Sequence, residues 1–395
     1  MIKAVLFDLD GTLLGSNERE FVGAFLNLCE QYYIDEWQKP GMRDAIRKGL
    51  QAMRGPRDYN QTNIDISTQV ILESGFGPVE ELQRLSERLY SERYEEVRPM
   101  TWQIPGVDVV MQTIEQGYTV VIATNPVYPE QAIRKRLAWA GLPDDFSTYA
   151  FVTTANNMRS LKPDPAYYAE IMARVGIEPV EAVMVGNSLT NDIRPAQTVG
   201  LNTYLVNENL ENGHEADGFG TAADFLHAVN NGWLQQLQPR KLAPEMIAHE
   251  LRGNVLALFG LLSEVKPHQW TQHPDPDEWS ILQVVCHLLE RESNLQRPRL
   301  QRILNEDDPF LTAPQEPATP SEVAGAANAM DVAYSFAKER EITLEFIQGL
   351  STDDWLRPAT HSIFSTTTLL EMAHFTAQHD RMHITQICQT LGRCD

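Results

Sequence analysis

Apolar positions follow two rhythms through the first 232 residues and only one afterwards. The short runs "AVLFDL", "TVVIAT", "AVMVGN" and "NTYLVN" are apolar at nearly every position, and they alternate with segments whose apolar residues recur three and four apart. Continuous runs of this kind are strands covered on both faces, and their alternation with helices predicts a Rossmann-like parallel sheet flanked by helices, an α/β fold. From residue 16 to residue 100 the strands stop, and several amphipathic helices follow one another, "VEELQRLSERLYSERYEEV" among them. An all-helical insertion directly after the first strand is placed to act as a lid. The expected first domain is therefore residues 1–232, with a core of 1–15 and 101–232 and a helical cap of 16–100.

From about residue 243 the pattern is helical only. "APEMIAHELRGNVLALFGLLSEV", "SILQVVCHLLERESNLQRPRLQRIL", "SEVAGAANAMDVAYSFAKEREITLEFIQGL" and "TTTLLEMAHFTAQHDRMHITQICQTL" follow one another with no strand between them, which predicts an all-α four-helix bundle over 243–395. The Gly, Pro and Gln of "NNGWLQQLQPRKLAPE" mark a linker, set at 233–242. "EDDPFLTAPQEPATP" is a proline-rich loop too long for a tight turn.

Net charge narrows the partners. The chain carries −22, divided −13 and −9 between residues 1–232 and 233–395, so neither half offers the basic face that nucleic acid demands. Cys29, Cys286, Cys388 and Cys394 form no CxxC pair, which argues against a disulfide framework or thiolate zinc and for a reducing compartment. The opening apolar run is short and ends in Asp8 and Asp10, unlike a secretory leader, and no stretch reaches the length of a membrane span. A cytoplasmic protein with no membrane partner is expected.

The candidate chemistry of the first half begins in "KAVLFDLDGTLL". Asp8 ends a strand and Asp10 lies two residues on, so both carboxylates face the same side beyond the strand's carboxyl end. One can attack phosphorus while the other handles the leaving-group proton. Two carboxylates repel a phosphate, so a divalent cation is needed, and magnesium suits oxygen ligands. "VVIATNP" ends a strand with Thr124 and Asn125, able to hydrogen-bond phosphate oxygens, "SLKPDP" offers the charge of Lys162, and "VMVGNSLTNDI" supplies Asp192. A locally basic stretch, residues 39–60, is explained most simply as a solvated helix face.

In their order and placement these segments resemble the four motifs of the haloacid dehalogenase superfamily, closest to its phosphoglycolate phosphatase-like members with a helical cap, over roughly residues 1–232. "FDLDGTL" is highly specific; the other three are weak alone. The resemblance implies that Asp8 is the nucleophile forming an aspartyl-phosphate and Asp10 the general acid and base. It further implies that Thr124 and Lys162 hold the phosphoryl group with Asn125 beside them, and that Asp8, Asp10, Asn187 and Asp192 form a magnesium site. Asn187 departs from the pattern, standing where many relatives have a ligating aspartate. Two readings follow: magnesium bound more weakly, or a degenerate domain that binds without turning over. Because dehalogenases attack carbon and do not need the second aspartate, Asp10 favours phosphoryl transfer.

Eight of the ten histidines lie after residue 232. In "HFTAQHDRMHI", His379 and His383 are four apart and share one helical face, while His287 sits amid apolar residues in "VVCHLLERE". Three imidazoles from two facing helices leave an open coordination position. With "DEWSILQVVCHLLERE" and "LLEMAHFTAQHDRMHITQI", the region 243–395 resembles the DinB/YfiT-like metal-binding bundles. That implies His287, His379 and His383 as ligands of zinc, nickel or a similar ion. Glu290 and Asp380 are able to accept from ligand N–H groups, but solvated carboxylates are the simpler reading. Some members of that group are thiol-dependent. The expected function is a magnesium-dependent phosphatase acting on a small phosphate monoester, joined to a three-histidine bundle. The alternatives are a degenerate first domain beside a metal-dependent transferase of a low-molecular-weight thiol, or a non-enzymatic metal sensor.

Overall fold

In the computed structural model, which describes residues 1–207, 210–313 and 329–394, the chain divides into two compact units. One is Met1–Tyr167 with Pro179–Arg240; the other is Tyr168–Glu178 with Lys241–Asp395. The helix Pro165–Val175 is divided between the two. Among the described residues no helix is long and apolar enough to cross a membrane.

The strands of the first unit are β1 (Ala4–Phe7), β2 (Leu14–Ser16), β3 (Thr101–Gln103), β4 (Thr119–Ile122), β5 (Phe151–Val152), β6 (Ala182–Gly186), β7 (Asn202–Val206) and β8 (Gly218–Gly220). Six of them form one parallel sheet in the order β5-β4-β1-β6-β7-β8. β1 is central and buried at every position, as its apolar sequence requires of a strand covered on both faces. The register pairs Phe7 with Ile122 on one side and Val185 on the other, so β1, β4 and β6 end together at one rim. The chain turns to opposite sides of β1 at this point, which leaves a crevice beyond the strand ends.

β2 and β3 pair antiparallel, Leu14 with Gln103 and Ser16 with Thr101, and so tie the start of the cap to its end. Between them lie α1 (Glu18–Trp37), α2 (Met42–Ala52), α3 (Asn63–Glu73) and α4 (Val79–Arg88). Asn17 caps α1 through the Glu20 amide, and Thr62 with Asp65 closes a reciprocal cap on α3. In α4 and just past it, Leu82, Leu85 and Leu89 recur at three- and four-residue spacing, and all are buried. The helical path then continues to Met100 with changes of pitch. Cap and sheet share one apolar core. Phe25 packs on Tyr94 (5.6 Å between ring centres) and Tyr128 (5.5 Å), and Tyr94 stacks on Trp139 (5.1 Å). Tyr128 lies in the loop after β4, and Trp139 on α5 (Glu130–Ala140).

The stretch 233–242, expected as a linker, starts with a short helix, Trp233–Gln236. The Trp233 ring meets Tyr204 at 5.5 Å and Phe225 at 6.0 Å, while Arg240 donates to the Leu201 carbonyl and to Asp217. Gly, Pro and Gln content suggests a loop, but one large aromatic side chain has more apolar surface to bury than a free linker allows.

The second unit contains α6 (Pro244–Leu262), α7 (Ile281–Arg291), α8 (Ala329–Gln348) and α9 (Leu369–Leu391), with α6 against α9 and α7 against α8. Two expectations are corrected. The second helical run is broken: a wider turn, Glu292–Gln296, separates α7 from a helix at Arg297–Asn305, where Pro298 stands at the start and needs no amide partner. The bundle also holds strands, β9 (Phe310–Leu311), β10 (Pro358–His361) and β11 (Ser365–Thr368), with β10 antiparallel to β11 and parallel to β9. The β-branched, Thr-rich "THSIFSTTT" lacks helical spacing and favours a hairpin, while Thr368 caps α9 through Glu371. The end of the proline-rich loop and the start of the third helical pattern, residues 314–328, lie outside the described residues.

A fully buried cation sits in this bundle. Arg340 on α8 donates to Glu292 at 2.9 and 2.7 Å and to Asp380 at 2.5 Å, and the Thr343 hydroxyl also donates to Glu292. The wider turn after α7 is what carries Glu292. Such a group is poor at adding net stability but costly to break, because a remaining charge is left without its partner. We expect Arg340→Met, which strands two carboxylates, to cost about 3–5 kcal/mol. Chemical denaturation measures this, and a loss below about 1 kcal/mol would mean that water already reaches the cluster.

Candidate active site and histidine centre

Beyond Phe7 the chain leaves β1 with Asp8 and Asp10 on one side and buried Leu9 on the other. The Leu9 carbonyl accepts the amides of Thr12, Leu13 and Leu14, so the chain folds back on itself at once. Gly11 makes that turn at φ +85°, and a Cβ there would lie 2.2 Å from the Asn187 amide nitrogen. The positive φ favours glycine, and the missing Cβ leaves room for the Asn187 side chain. The turn brings the Thr12 hydroxyl to 2.9 Å from one Asp8 oxygen, to which it donates.

Lys162, buried in the loop after β5, donates to the other Asp8 oxygen at 2.8 Å and to Asp192 at 2.6 Å. Asp192 is held in turn by the Ser188 amide, at 2.9 Å. A Cβ on Gly186 would stand 2.5 Å from its carboxyl group, so β6 must end in glycine for Asp192 to close over it. Burial pushes the Asp192 carboxyl up from its ordinary range, against the pull of Lys162. Asn187 is exposed at the cleft, its oxygen 3.4 Å from the Thr12 hydroxyl.

Asp10 is paired with a residue that sequence reasoning missed. Arg136, on α5, is buried and donates to Asp10 at 2.9 Å, its guanidinium between the rings of Tyr128 (4.1 Å) and Phe21 (4.6 Å). The Thr124 hydroxyl lies 3.5 Å from the same Asp10 oxygen. Desolvation raises the Asp10 pKa, Arg136 lowers it and Asp8 raises it again, leaving Asp10 above its ordinary range. Such a carboxyl holds its proton further toward neutrality, as a general acid must. A signal for Arg136 was present in "AIRKRLAWAGL", since it lies on the stripe of Ala132, Ile133, Leu137 and Ala140, all buried. A charge on an apolar stripe has to be paired. Thr12 lies inside the quoted motif, but only the turn shows that it reaches Asp8.

At the end of β4 the Thr124 carbonyl accepts from the hydroxyls of Thr153 and Tyr167, both at 2.7 Å, which fixes the strand end. Among the described residues the buried Asn125 oxygen has no partner. Asp8, Asp10, Thr124, Asn125, Lys162, Asn187 and Asp192 all border one cleft of about 1310 Å³ beneath the cap helices. Three carboxylates and two cations leave that rim one positive charge short of neutrality. An arriving phosphate adds more, and the atoms there able to ligate a cation are oxygens: the carboxylates of Asp8 and Asp192 and the Asn187 amide. Charge deficit and donor type both fit a hard divalent cation.

The second centre is nitrogen only. His287 on α7 and His379 and His383 on α9 place one ring nitrogen each within 4.8 Å of the others, and the Nε2 atoms of His287 and His379 are 3.3 Å apart. The Gln386 oxygen, 2.8 Å from His383 Nδ1, accepts its N–H and leaves Nε2 with a free lone pair. Trp279 covers the group, stacked on His383 at 6.1 Å and against His287 at 4.9 Å. Burial, and then the neighbouring imidazoles, push His287 and His379 down to about 3; burial lowers His383 too. All three are therefore neutral at pH 7, as ligation requires. Asp380 pairs through one oxygen with the buried Arg340 guanidinium, and Glu290 is exposed.

Comparison with known proteins agrees with this division. The family model of haloacid dehalogenase-like hydrolases matches residues 2–200, and that of the DinB superfamily matches residues 249–387. Pyrophosphatase PpaX of Bacillus cereus (strain AH820) is 27% identical over 215 residues, covering 53% of this chain and 85% of the relative. PpaX of Bacillus mycoides (strain KBAB4) is 26% identical over 215 residues, with 53% and 86% covered. Among solved structures, a HAD phosphatase from Thermococcus onnurineus shares 24% identity over 58% of this chain and 97% of its own, with a TM-score of 0.37. YfiT from Bacillus subtilis, described as a probable metal-dependent hydrolase with an unusual four-helix bundle topology, shares 18% over 40% and 93%, with a TM-score of 0.33. The chain belongs to the haloacid dehalogenase-like hydrolases and carries a DinB-superfamily domain after the hydrolase domain.

Proposed function

We propose that the first unit hydrolyses a phosphate monoester through an aspartyl-phosphate on Asp8, with magnesium as its cofactor. The observation that carries this reading is the buried Lys162 ammonium between Asp8 and Asp192, at the edge of a cleft that also holds Asp10. Thr12 and Lys162 each occupy one Asp8 oxygen and so orient the carboxylate. Asp8 attacks phosphorus, the ester P–O bond breaks, and protonated Asp10 gives its proton to the leaving alkoxide. Asp10, now a carboxylate beside Arg136, takes a proton from the water that attacks the acyl phosphate, which frees Asp8 and inorganic phosphate. Thr124 and Asn125 stand where they can donate to phosphoryl oxygens. Asp8, the Asp10 carbonyl, Asn187 and Asp192 would hold magnesium, which when bound supplies positive charge against the phosphate. Pyrophosphate, for which the Bacillus relatives are named, presents a phosphorus that the same attack could reach.

Asp8→Asn removes the nucleophile and should lower turnover of p-nitrophenyl phosphate in magnesium by at least roughly a thousandfold. An unchanged rate would sink the proposal. Asn187→Asp should bring the magnesium concentration for half-maximal rate down by about tenfold, read from a metal titration at fixed substrate, because a carboxylate binds a hard cation more strongly than an amide. A midpoint equal to or above that of the natural sequence would remove Asn187 from the metal site.

For the second unit the three neutral imidazoles support a zinc, nickel or similar site, held by His287, His379 and His383. All three rings lie below the ordinary 6.5, His287 and His379 at about 3, so protons compete poorly with metal in mild acid. Metal bound at pH 7 should stay bound at pH 5 in metal analysis of the dialysed protein, and His379→Ala should lose it at both. Release already complete at pH 6, or full retention by His379→Ala, would refute the site.

A further inference from the structure

The cleft beneath the cap carries information about the part of the substrate that is not phosphate. Its volume, about 1310 Å³, exceeds the roughly 300–1,000 Å³ typical of a site for a small organic ligand. Phosphate and the leaving oxygen occupy only the rim where Asp8 and Asp10 stand. The cap side contributes apolar side chains among acidic and polar ones: Val22 and Phe25 on α1, Ile46 and Leu50 on α2, and Ile71 and Leu72 on α3 all border the space.

Charge points the same way. Among the described residues three cations border the cleft, and two are already bound, Lys162 to Asp8 and Asp192, and Arg136 to Asp10. Arg54 is the third, exposed at the end of α2. The other basic side chains of residues 39–60 do not border the cleft. Against Arg54 stand Glu18, Asp65, Glu73 and Glu87, all on the cap and all bordering the cleft. A second phosphate or a carboxylate on the substrate would meet four carboxylates and one guanidinium, and would give up its hydration for little return.

We propose that this cleft takes the phosphate monoester of an uncharged, largely apolar alcohol, in preference to pyrophosphate or the phosphate esters of hydroxy acids. The proposal rests on the phosphatase reading above. Catalysis stays at Asp8 and Asp10; the cap wall selects the alcohol by removing its apolar surface from water. Each methylene that reaches the wall should raise kcat/KM by roughly three- to fourfold.

The test uses the full chain in magnesium, with p-nitrophenyl phosphate as the measure of phosphatase activity, and compares kcat/KM for ethyl phosphate, hexyl phosphate, phosphoglycolate and pyrophosphate. The expected result is hexyl above ethyl phosphate by at least roughly tenfold, with phosphoglycolate and pyrophosphate below both. Ile46→Asp should bring the hexyl-to-ethyl ratio toward one. The ratio does not depend on how much of the variant folds, so it separates a lost wall from a lost fold. Turnover of p-nitrophenyl phosphate with hexyl and ethyl phosphate within twofold, or with either anionic substrate preferred, overturns the substrate class and leaves the phosphatase reading standing. A ratio untouched by Ile46→Asp also overturns it. Absence of turnover on every ester overturns both.

Discussion

A single ammonium group between two carboxylates organises the first unit. Lys162 is buried, and so are Asp8 and Asp192, which it binds. None of the three could be held there alone, because an isolated charge beneath a protein surface costs several kcal/mol. They come from the end of β1, the loop after β5 and the turn after β6, far apart in the chain. The parallel register that ends β1, β4 and β6 at one rim is what lets them meet. The glycines at 11 and 186 serve the same end, since both clear space into which a neighbouring side chain must fit.

The second unit repeats the motif of a buried cation between two carboxylates, with Arg340 bound by Glu292 and Asp380. The consequences differ because the surroundings differ. Lys162 borders a cleft, so its hydrogen bonds face a place where a ligand can enter. Arg340 is sealed within the bundle, next along the chain fold to the histidine centre, since Asp380 adjoins His379. Its planar guanidinium satisfies both carboxylates at once and holds α8 against the wider turn and α9.

The two centres also divide by donor chemistry. At the sheet rim the donors are oxygens with net negative charge, the arrangement that suits a hard cation and a phosphoryl group. In the bundle they are three neutral nitrogens beneath an indole ring, which suits a borderline transition metal and leaves a coordination position open.

Much of this was legible in the chain alone. Period and apolar run length are local properties, so the parallel sheet, the helical cap and the bundle could be read, and so could Asp8, Asp10, Thr124, Asn125, Lys162, Asn187 and Asp192, which lie in short segments at strand ends. His379 and His383 were readable because four residues make one helical turn. What the sequence could not express is which distant side chains meet. Arg136 finding Asp10, Thr12 bending back to Asp8, Trp233 fastening a supposed linker, and the small sheet around His361 all depend on three-dimensional register. Partner choice for a buried charge is decided by which oppositely charged group the packing brings within hydrogen-bonding reach, and a one-dimensional pattern holds no record of that distance.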